Sequence, residues 1–264
     1  MIYNYAQRFA DGYLKSDLSA VRDASVGVKR EAMAALSKFS EFLGEKKRFN
    51  DLCESFGVDY RNGGNSRVVI GRIQRKGDVW DWVRSVKRGR PEFANLMDLL
   101  SVTGMRLVEA IDCVNLTVKL SGEGKLELDR DGEVYRGGYY NSKNEVYEHF
   151  NFTDLFLRGN KNVYVSYVPR SLVDAIVAEK RMLPNSDAVG KKARNVSETS
   201  GFGEIREAQN TFMIKYLKRE EIDFLAGRMA SSIFMRNYFN PSQIADLKSR
   251  VFQGVAEIQE KIKV

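Results

Sequence analysis

Thr103, Gly104, Arg106 and Glu109 fall in a run, TGMRLVE, whose residue types and spacing suit the binding of a phosphate group. The glycine is expected to end one helix, and the arginine to begin the next. Free backbone amides at the start of a helix, together with the forked donors of an arginine, form a good phosphate seat. Glu109 is placed to hold the arginine. Taken alone, the run also fits an ordinary corner between two helices with a surface ion pair.

Four further residues could take part in phosphate chemistry, although each one alone is unremarkable. Lys161 lies in RGNKN, a turn expected between two strands, and Arg206 begins an amphipathic helix. Arg228 follows a glycine at the end of a short helix. Tyr238 lies ten residues later in MRNYFNP and is one of twelve tyrosines, most of which should be structural.

The composition excludes several other kinds of site. With one histidine, His149, and two distant cysteines, Cys53 and Cys113, the chain cannot build a Cys/His zinc site or a disulfide framework. It contains no phosphate-binding G-x-x-x-x-G-K-[ST] loop. Chemistry must therefore come from arginine, lysine, tyrosine and carboxylates, and we expect neither a metal nor a cofactor.

Length and charge set the general class. The 264 residues, 43% of them hydrophobic, can bury a core in one large or two unequal domains. A net charge of +7 favours polyanionic partners. The N-terminus lacks the apolar core of a signal peptide, and no apolar stretch is long enough to span a membrane. We expect a cytoplasmic protein that has no membrane partner.

The patterns predict a mostly helical chain with a small antiparallel sheet. The boundary between a small helical domain, residues 1–70, and a larger one, residues 77–264, is predicted at or soon after the glycine-rich loop of residues 61–66. Hairpins are predicted around residues 122–124 and at residues 158–161, and residues 137–144 are predicted to form a loop. A final amphipathic helix is predicted over residues 241–264, beginning at Asn240 and Pro241.

Basic residues concentrate next to the predicted domain junction. Residues 72–90 contain seven basic and two acidic side chains, either a solvated helix face or a grip on a phosphate backbone. We predict DNA contacts there and at two later lysines; the candidates are Arg84, Lys87, Arg88, Arg90, Lys191 and Lys192.

Together, the order of these motifs resembles the tyrosine recombinases, the phage-type integrases, and most closely those of archaeal viruses and plasmids. The resemblance covers about residues 77–252, and GRMASSIFMRNYF reads much like the corresponding stretch of archaeal integrases. It implies a tyrosine recombinase catalytic fold preceded by a small helical core-binding domain, to which residues 1–70 are only loosely similar and shorter than usual. The implied catalytic residues are Arg106, Lys161, Arg206, Arg228 and Tyr238, with Glu109 in support.

One position departs from the family pattern. The second motif is usually His-x-x-Arg, or Lys-x-x-Arg in archaeal relatives, but here it begins with Gly203. Either Lys191 or Lys192 folds in to replace the missing side chain, or the role stays empty.

The residue types themselves indicate a mechanism. Tyrosine, with a pKa near 10, is a poor nucleophile at neutral pH, so a metal-free site needs fixed cations to offset the charge that builds on the phosphate. Arg106, Arg206 and Arg228 supply those cations, and Lys161 is the candidate acid for the leaving 5′ oxygen. A phosphotyrosyl link stores the bond energy, so rejoining needs no ATP. The resemblance further implies double-stranded DNA as substrate, a 3′-phosphotyrosine on Tyr238 and strand exchange within a homotetramer.

Two rival functions use the same residues differently. A type IB topoisomerase-like enzyme would nick and close DNA without a second site, and a degenerate recombinase fold would bind DNA without cutting it. In the family, the tail that follows the nucleophile often docks on a neighbouring protomer, and we expect the same of residues 241–264.

Overall fold

The computed structural model describes residues 2–58, 77–130, 133–134, 138–158, 161–197, 199–228 and 237–264. The chain divides into two compact units, Met1–Lys76 and Gly77–Val264. The predicted linker at residues 61–66 lies outside the described residues. None of the described helices is both long and apolar enough to cross a bilayer.

The smaller unit is helical throughout its described part. Its helices are α1 (Ile2–Leu14), α2 (Ser19–Arg22), α3 (Val26–Phe42) and α4 (Lys46–Ser55). Apolar residues at helical spacing on α1 and α3 face each other, and Tyr13, Leu36 and Phe49 are fully buried between the helices. The sequence patterns do not predict helix α1.

The larger unit is built around one central helix. Its helices are α5 (Val79–Gly89), α6 (Ala94–Thr103), α7 (Leu107–Gly122), α8 (Thr153–Phe156), α9 (Arg170–Glu179), α10 (Ser186–Arg194), α11 (Phe202–Met213), α12 (Arg219–Leu225) and α13 (Leu247–Lys261). Helix α6 is apolar on nearly every side, so it must be buried. It packs against α5, α7, α9, α11 and α13.

Short antiparallel strands complete the larger unit. They are β1 (Asp129–Arg130), β2 (Glu133–Val134), β3 (Tyr140–Asn141), β4 (Val146–Glu148), β5 (Leu157–Arg158), β6 (Lys161–Asn162) and β7 (Val165–Tyr167). The order β3-β4-β7 forms a three-stranded sheet, while β1 pairs with β2 and β5 with β6. The predictions of a mostly helical chain with a small antiparallel sheet, and of a hairpin at residues 158–161, are confirmed. The tyrosine recombinase fold itself stays a prediction.

Two of the predicted local structures are wrong. The hairpin around residues 122–124 does not form, because α7 continues to Gly122; buried Val114, Thr117 and Leu120 extend its helical stripe through the apparently alternating segment. The predicted loop at residues 137–144 contains strand β3, whose Tyr140 is fully buried.

The final helix also differs from its prediction. Helix α13 begins at Leu247, because Pro241–Gln243 form only one 3-10 turn, in which the Ser242 amide donates to Asn240 Oδ1 at 3.1 Å. The apolar stripe of α13 packs against the core of the larger unit. In this structure the stripe is therefore buried within its own chain, and not by the expected docking on a neighbouring protomer. The buried residues of the stripe are Leu247, Val251, Val255, Ile258 and Ile262.

Candidate active site

The corner between α6 and α7 fixes the position of Arg106. Gly104 ends α6 with φ of 64°, in the left-handed region that favours glycine, and a Cβ there would lie 2.5 Å from Gln209 Oε1. The Arg106 amide donates to Glu109 Oε2 at 2.9 Å, and its Nη1 lies 2.5 Å from Oε1 of the same carboxylate. Glu109 is buried, so the predicted partner holds both the backbone and the side chain of Arg106.

Arg206 joins this corner to a second glycine turn. From α11, its Nη1 donates to the carbonyl oxygen of Gly104 at 2.9 Å, and its Nη2 donates to the carbonyl oxygen of Ala226. Burial, together with the positive charges of Arg106 and Arg228, lowers the pKa of Arg206 to about 10. Arg106 and Arg228, from distant segments, are therefore both close enough to Arg206 for their charges to affect it.

Arg228 follows the turn that ends α12. Gly227, with φ of 66°, lies so close to β6 that a Cβ on it would overlap the carbonyl oxygen of Asn162. The β5–β6 hairpin, which contains Lys161, thus contacts the Gly-Arg turn through its backbone; the Lys161 side chain lies outside the described part. Arg228 is about half exposed, and its Nη1 lies 3.4 Å from Asp223 Oδ1.

Tyr238 lies on the surface beside α12. The residue is 72% exposed. The next residue, Phe239, packs on Phe224 of α12 with ring centroids 5.7 Å apart, and Phe224 in turn stacks on Tyr164. The tyrosine is therefore attached next to the helix that leads to Arg228, while its own side chain stays accessible.

Two of the predicted DNA-contacting residues, Arg84 and Lys87, are bound to other parts of the chain. Lys87 is only 12% exposed, and its ammonium binds Asp98 at 2.6 Å and the Ile262 carbonyl oxygen at 3.0 Å. Arg84 binds Asp81 and the carbonyl oxygen of Lys261. Both side chains tie α5 to the end of α13, a long-range role that the local charge pattern does not indicate.

The other candidates lie at neighbouring helix ends. Gly89 packs against Val196, and Lys192 lies 6.0 Å above the ring of Phe93, so the C-terminal ends of α5 and α10 are close together. Arg194, in the same last turn of α10, was not predicted, although its spacing from the two lysines could have indicated it. We call these residues the basic edge: Arg88, Arg90, Lys191, Lys192 and Arg194.

His149 is a structural residue. It is fully buried, with Nδ1 2.7 Å from the Tyr139 hydroxyl and Nε2 2.9 Å from Ser166 Oγ. Burial lowers its pKa to about 3. Within the described ranges, no group of three or more His, Cys, Asp and Glu residues is placed to hold a metal ion.

A comparison with known families relates the chain to one of them. The model of the archaeal phage integrase family matches residues 139–253, somewhat under half of the chain. This region is related to archaeal phage integrases. The match spans the positions of Lys161, Arg206, Arg228 and Tyr238, whereas Arg106 precedes it. No match was found among curated proteins or among solved structures.

Within this integrase-related region, Gly203 lies one helical turn before Arg206. It is exposed, and a Cβ on it would meet no atom within 4 Å. The histidine or lysine that the family motif places there would have room. The Lys192 ammonium lies over Phe93, and whether it or Lys191 substitutes for that side chain stays a prediction.

Proposed function

We propose that this chain is a site-specific DNA recombinase of the integrase type that cleaves and rejoins DNA through a covalent 3′-phosphotyrosine on Tyr238. One observation carries the proposal. Arg206 binds the Gly104 carbonyl oxygen, in the turn that leads to Arg106, and the Ala226 carbonyl oxygen, in the turn that leads to Arg228. The charges of Arg106 and Arg228 thereby come close enough to Arg206 to lower its pKa, and Arg206 and Arg228 lie in the integrase-related region.

Such a cluster suits a phosphate in its transition state. Attack on phosphorus increases the negative charge on the non-bridging oxygens, and fixed arginines offset it without reorganising. Arg206 is partly desolvated, and the repulsion among the three cations is relieved when an anion binds between them. Guanidinium groups also match phosphate oxygens in a bidentate geometry.

The reaction needs a nucleophile and an acid besides the arginines. The exposed Tyr238 hydroxyl gives its proton to water as its oxygen attacks phosphorus, the bond from phosphorus to the 5′ oxygen breaks, and Lys161 gives that oxygen its proton. The phosphotyrosyl link retains the energy of the bond that broke. A 5′-hydroxyl can therefore attack it in reverse, with no nucleotide cofactor or metal.

The partner in this proposal is double-stranded DNA. Four residues of the basic edge, Arg88, Lys191, Lys192 and Arg194, are exposed cations that can contact the phosphate backbone, and their contribution should fall with rising salt. Exchange between two sites needs four active subunits, so we propose that the chain assembles as a homotetramer on DNA.

Covalent trapping in the presence of EDTA tests this function. A nicked attachment-site duplex, which loses a short fragment after cleavage and cannot be rejoined, should accumulate a protein–DNA adduct on a denaturing gel. DNA binding without an adduct would indicate a non-catalytic DNA-binding protein. A two-site substrate separates the remaining rival, since closure without exchange would indicate a type IB topoisomerase-like enzyme.

A further inference from the structure

Helix α12 holds the chain on both sides of Tyr238. Its C-terminal end continues through Gly227 to Arg228, and its Phe224 packs on Phe239 at 5.7 Å. The position of the nucleophile relative to the arginines therefore depends on how α12 itself is held. A helix of seven residues is too short to be stable alone, so its tertiary contacts must fix it.

The N-terminal half of α12 is held by a buried ion pair. Glu221 is 2% exposed and accepts two bonds from Arg250 of α13, at 2.6 and 2.8 Å. Its Oε2 also accepts the Lys218 amide at 2.7 Å, which caps α12. A bidentate pair in such a setting has one well-defined geometry.

Arg250 extends the connection to the chain that follows Tyr238. Its Nε donates to Asp246 Oδ2 at 2.9 Å, and its Nη1 donates to the Tyr216 carbonyl oxygen at 2.9 Å. One guanidinium thus joins α12, the link between α11 and α12, and the start of α13. The chain between α12 and α13 is thereby tied at both ends.

We propose that Glu221 and Arg250 form a positioning pair that sets the approach of Tyr238 to the phosphate. This inference rests on the proposed function. The pair touches no reacting atom and acts through α12 and the start of α13. The Arg228 end of α12 has separate attachments, because Arg206 binds the Ala226 carbonyl oxygen and Gly227 packs on Asn162. Loosening the pair should therefore displace the tyrosine more than the arginines.

Glu221→Gln tests the inference, because it keeps the side-chain shape and removes the charge. Single-turnover adduct formation should slow by about a hundred-fold, the order expected for a displacement of about 1 Å, while DNA affinity stays close to that of the parent. The matched control is Glu257→Gln on α13, an exposed carboxylate that binds Lys215 and Tyr216 but does not contact α12 through Arg250. The control should form adduct at the parental rate.

An external nucleophile separates positioning from general damage. In a Tyr238→Phe background, hydrogen peroxide can attack phosphorus in place of the tyrosine, and this cleavage needs only the cations and the acid. We expect Glu221→Gln to leave peroxide cleavage unchanged. Equal losses in both reactions, or no loss in adduct formation, would overturn the positioning role.

A milder variant covers the case in which Glu221→Gln does not fold. Asp246→Asn weakens the exposed ion pair with Arg250 in the same network. It should slow adduct formation by less than Glu221→Gln does and leave peroxide cleavage unchanged. Equal behaviour of the two reactions in that variant would also overturn the inference. If the parent forms no adduct at all, the proposed function fails, and this inference fails with it.

Discussion

The arginine corner and the Tyr238 segment differ in how firmly the chain holds them. Arg106 and Arg206 are bound to a buried carboxylate and to backbone carbonyl oxygens, whereas Tyr238 is 72% exposed. The charge-binding half of the candidate site is thus already assembled in the unbound chain, and Tyr238, the proposed nucleophile, remains accessible. Preorganised cations stabilise a transition state most effectively, while the nucleophile needs only to reach the phosphate.

Among the substitutions that test this comparison, removal of Arg206 should slow adduct formation the most. Arg206→Ala deletes a charge and the bonds to both glycine turns, so adduct formation should fall by about a thousand-fold in single-turnover assays. Arg219→Ala is the matched control, because Arg219 lies on α12 but is 91% exposed. A parental rate in Arg206→Ala would show that the corner is not the phosphate site.

The role of Lys161 as the proposed acid can be tested separately from the arginine corner and the Tyr238 segment. Lys161→Ala should slow cleavage by about a hundred-fold or more, because the leaving 5′ oxygen then lacks its proton donor. Replacing that oxygen with sulfur should restore most of the rate, since a thiolate is a far weaker base and leaves unprotonated. Lys143→Ala, an exposed lysine in the turn between β3 and β4, should behave like the parent with both substrates. A variant that sulfur does not rescue would assign Lys161 another role.

The salt dependence of DNA affinity should distinguish exposed cations from buried ones. Replacing Arg88, Lys191 and Lys192 with glutamine should make the slope of log affinity against log salt shallower by about 0.9 per lost contact. Lys87→Gln should leave that slope unchanged and lower the unfolding free energy by about 1–3 kcal/mol, because Asp98 loses its buried partner. The reverse pattern would move the DNA face to the Lys87 side of α5.

The buried interior should respond to acid through its one histidine. The folded chain holds His149 neutral with a pKa near 3, while the unfolded chain binds a proton near pH 6.5. Stability should therefore fall as the pH drops below about 6.5, by about 1.4 kcal/mol at pH 5.5 relative to pH 8. Denaturant unfolding of the parent and of His149→Gln checks this, since the variant should lose that pH dependence. An equal dependence in both would place its origin elsewhere.

Local sequence rules predict the parts of the site that local contacts build. The left-handed glycine before Arg106, the glutamate three residues after it, and the hairpin that contains Lys161 each depend on neighbours within a few residues. The same local rules fail at the end of helix α7, where they predict a hairpin. A short alternating segment is also compatible with a continuing helical stripe.

Contacts between residues far apart in sequence explain the features that local sequence rules do not predict. Lys87 looks like a surface cation in sequence, yet the end of α13, more than 170 residues away, covers it. Glu221 and Arg250 lie 29 residues apart with no motif to connect them. Such pairs exist only once the helices have packed.

Trapping the covalent intermediate with three proteins is the most direct test of the central claim. Tyr238→Phe removes one oxygen from an exposed ring, so the variant should fold and bind DNA like the parent. It should nevertheless give no protein–DNA adduct on a denaturing gel. Tyr216→Phe, whose parent hydroxyl donates to Glu257, should still form the adduct. An adduct that persists in Tyr238→Phe and disappears in Tyr216→Phe would contradict the account.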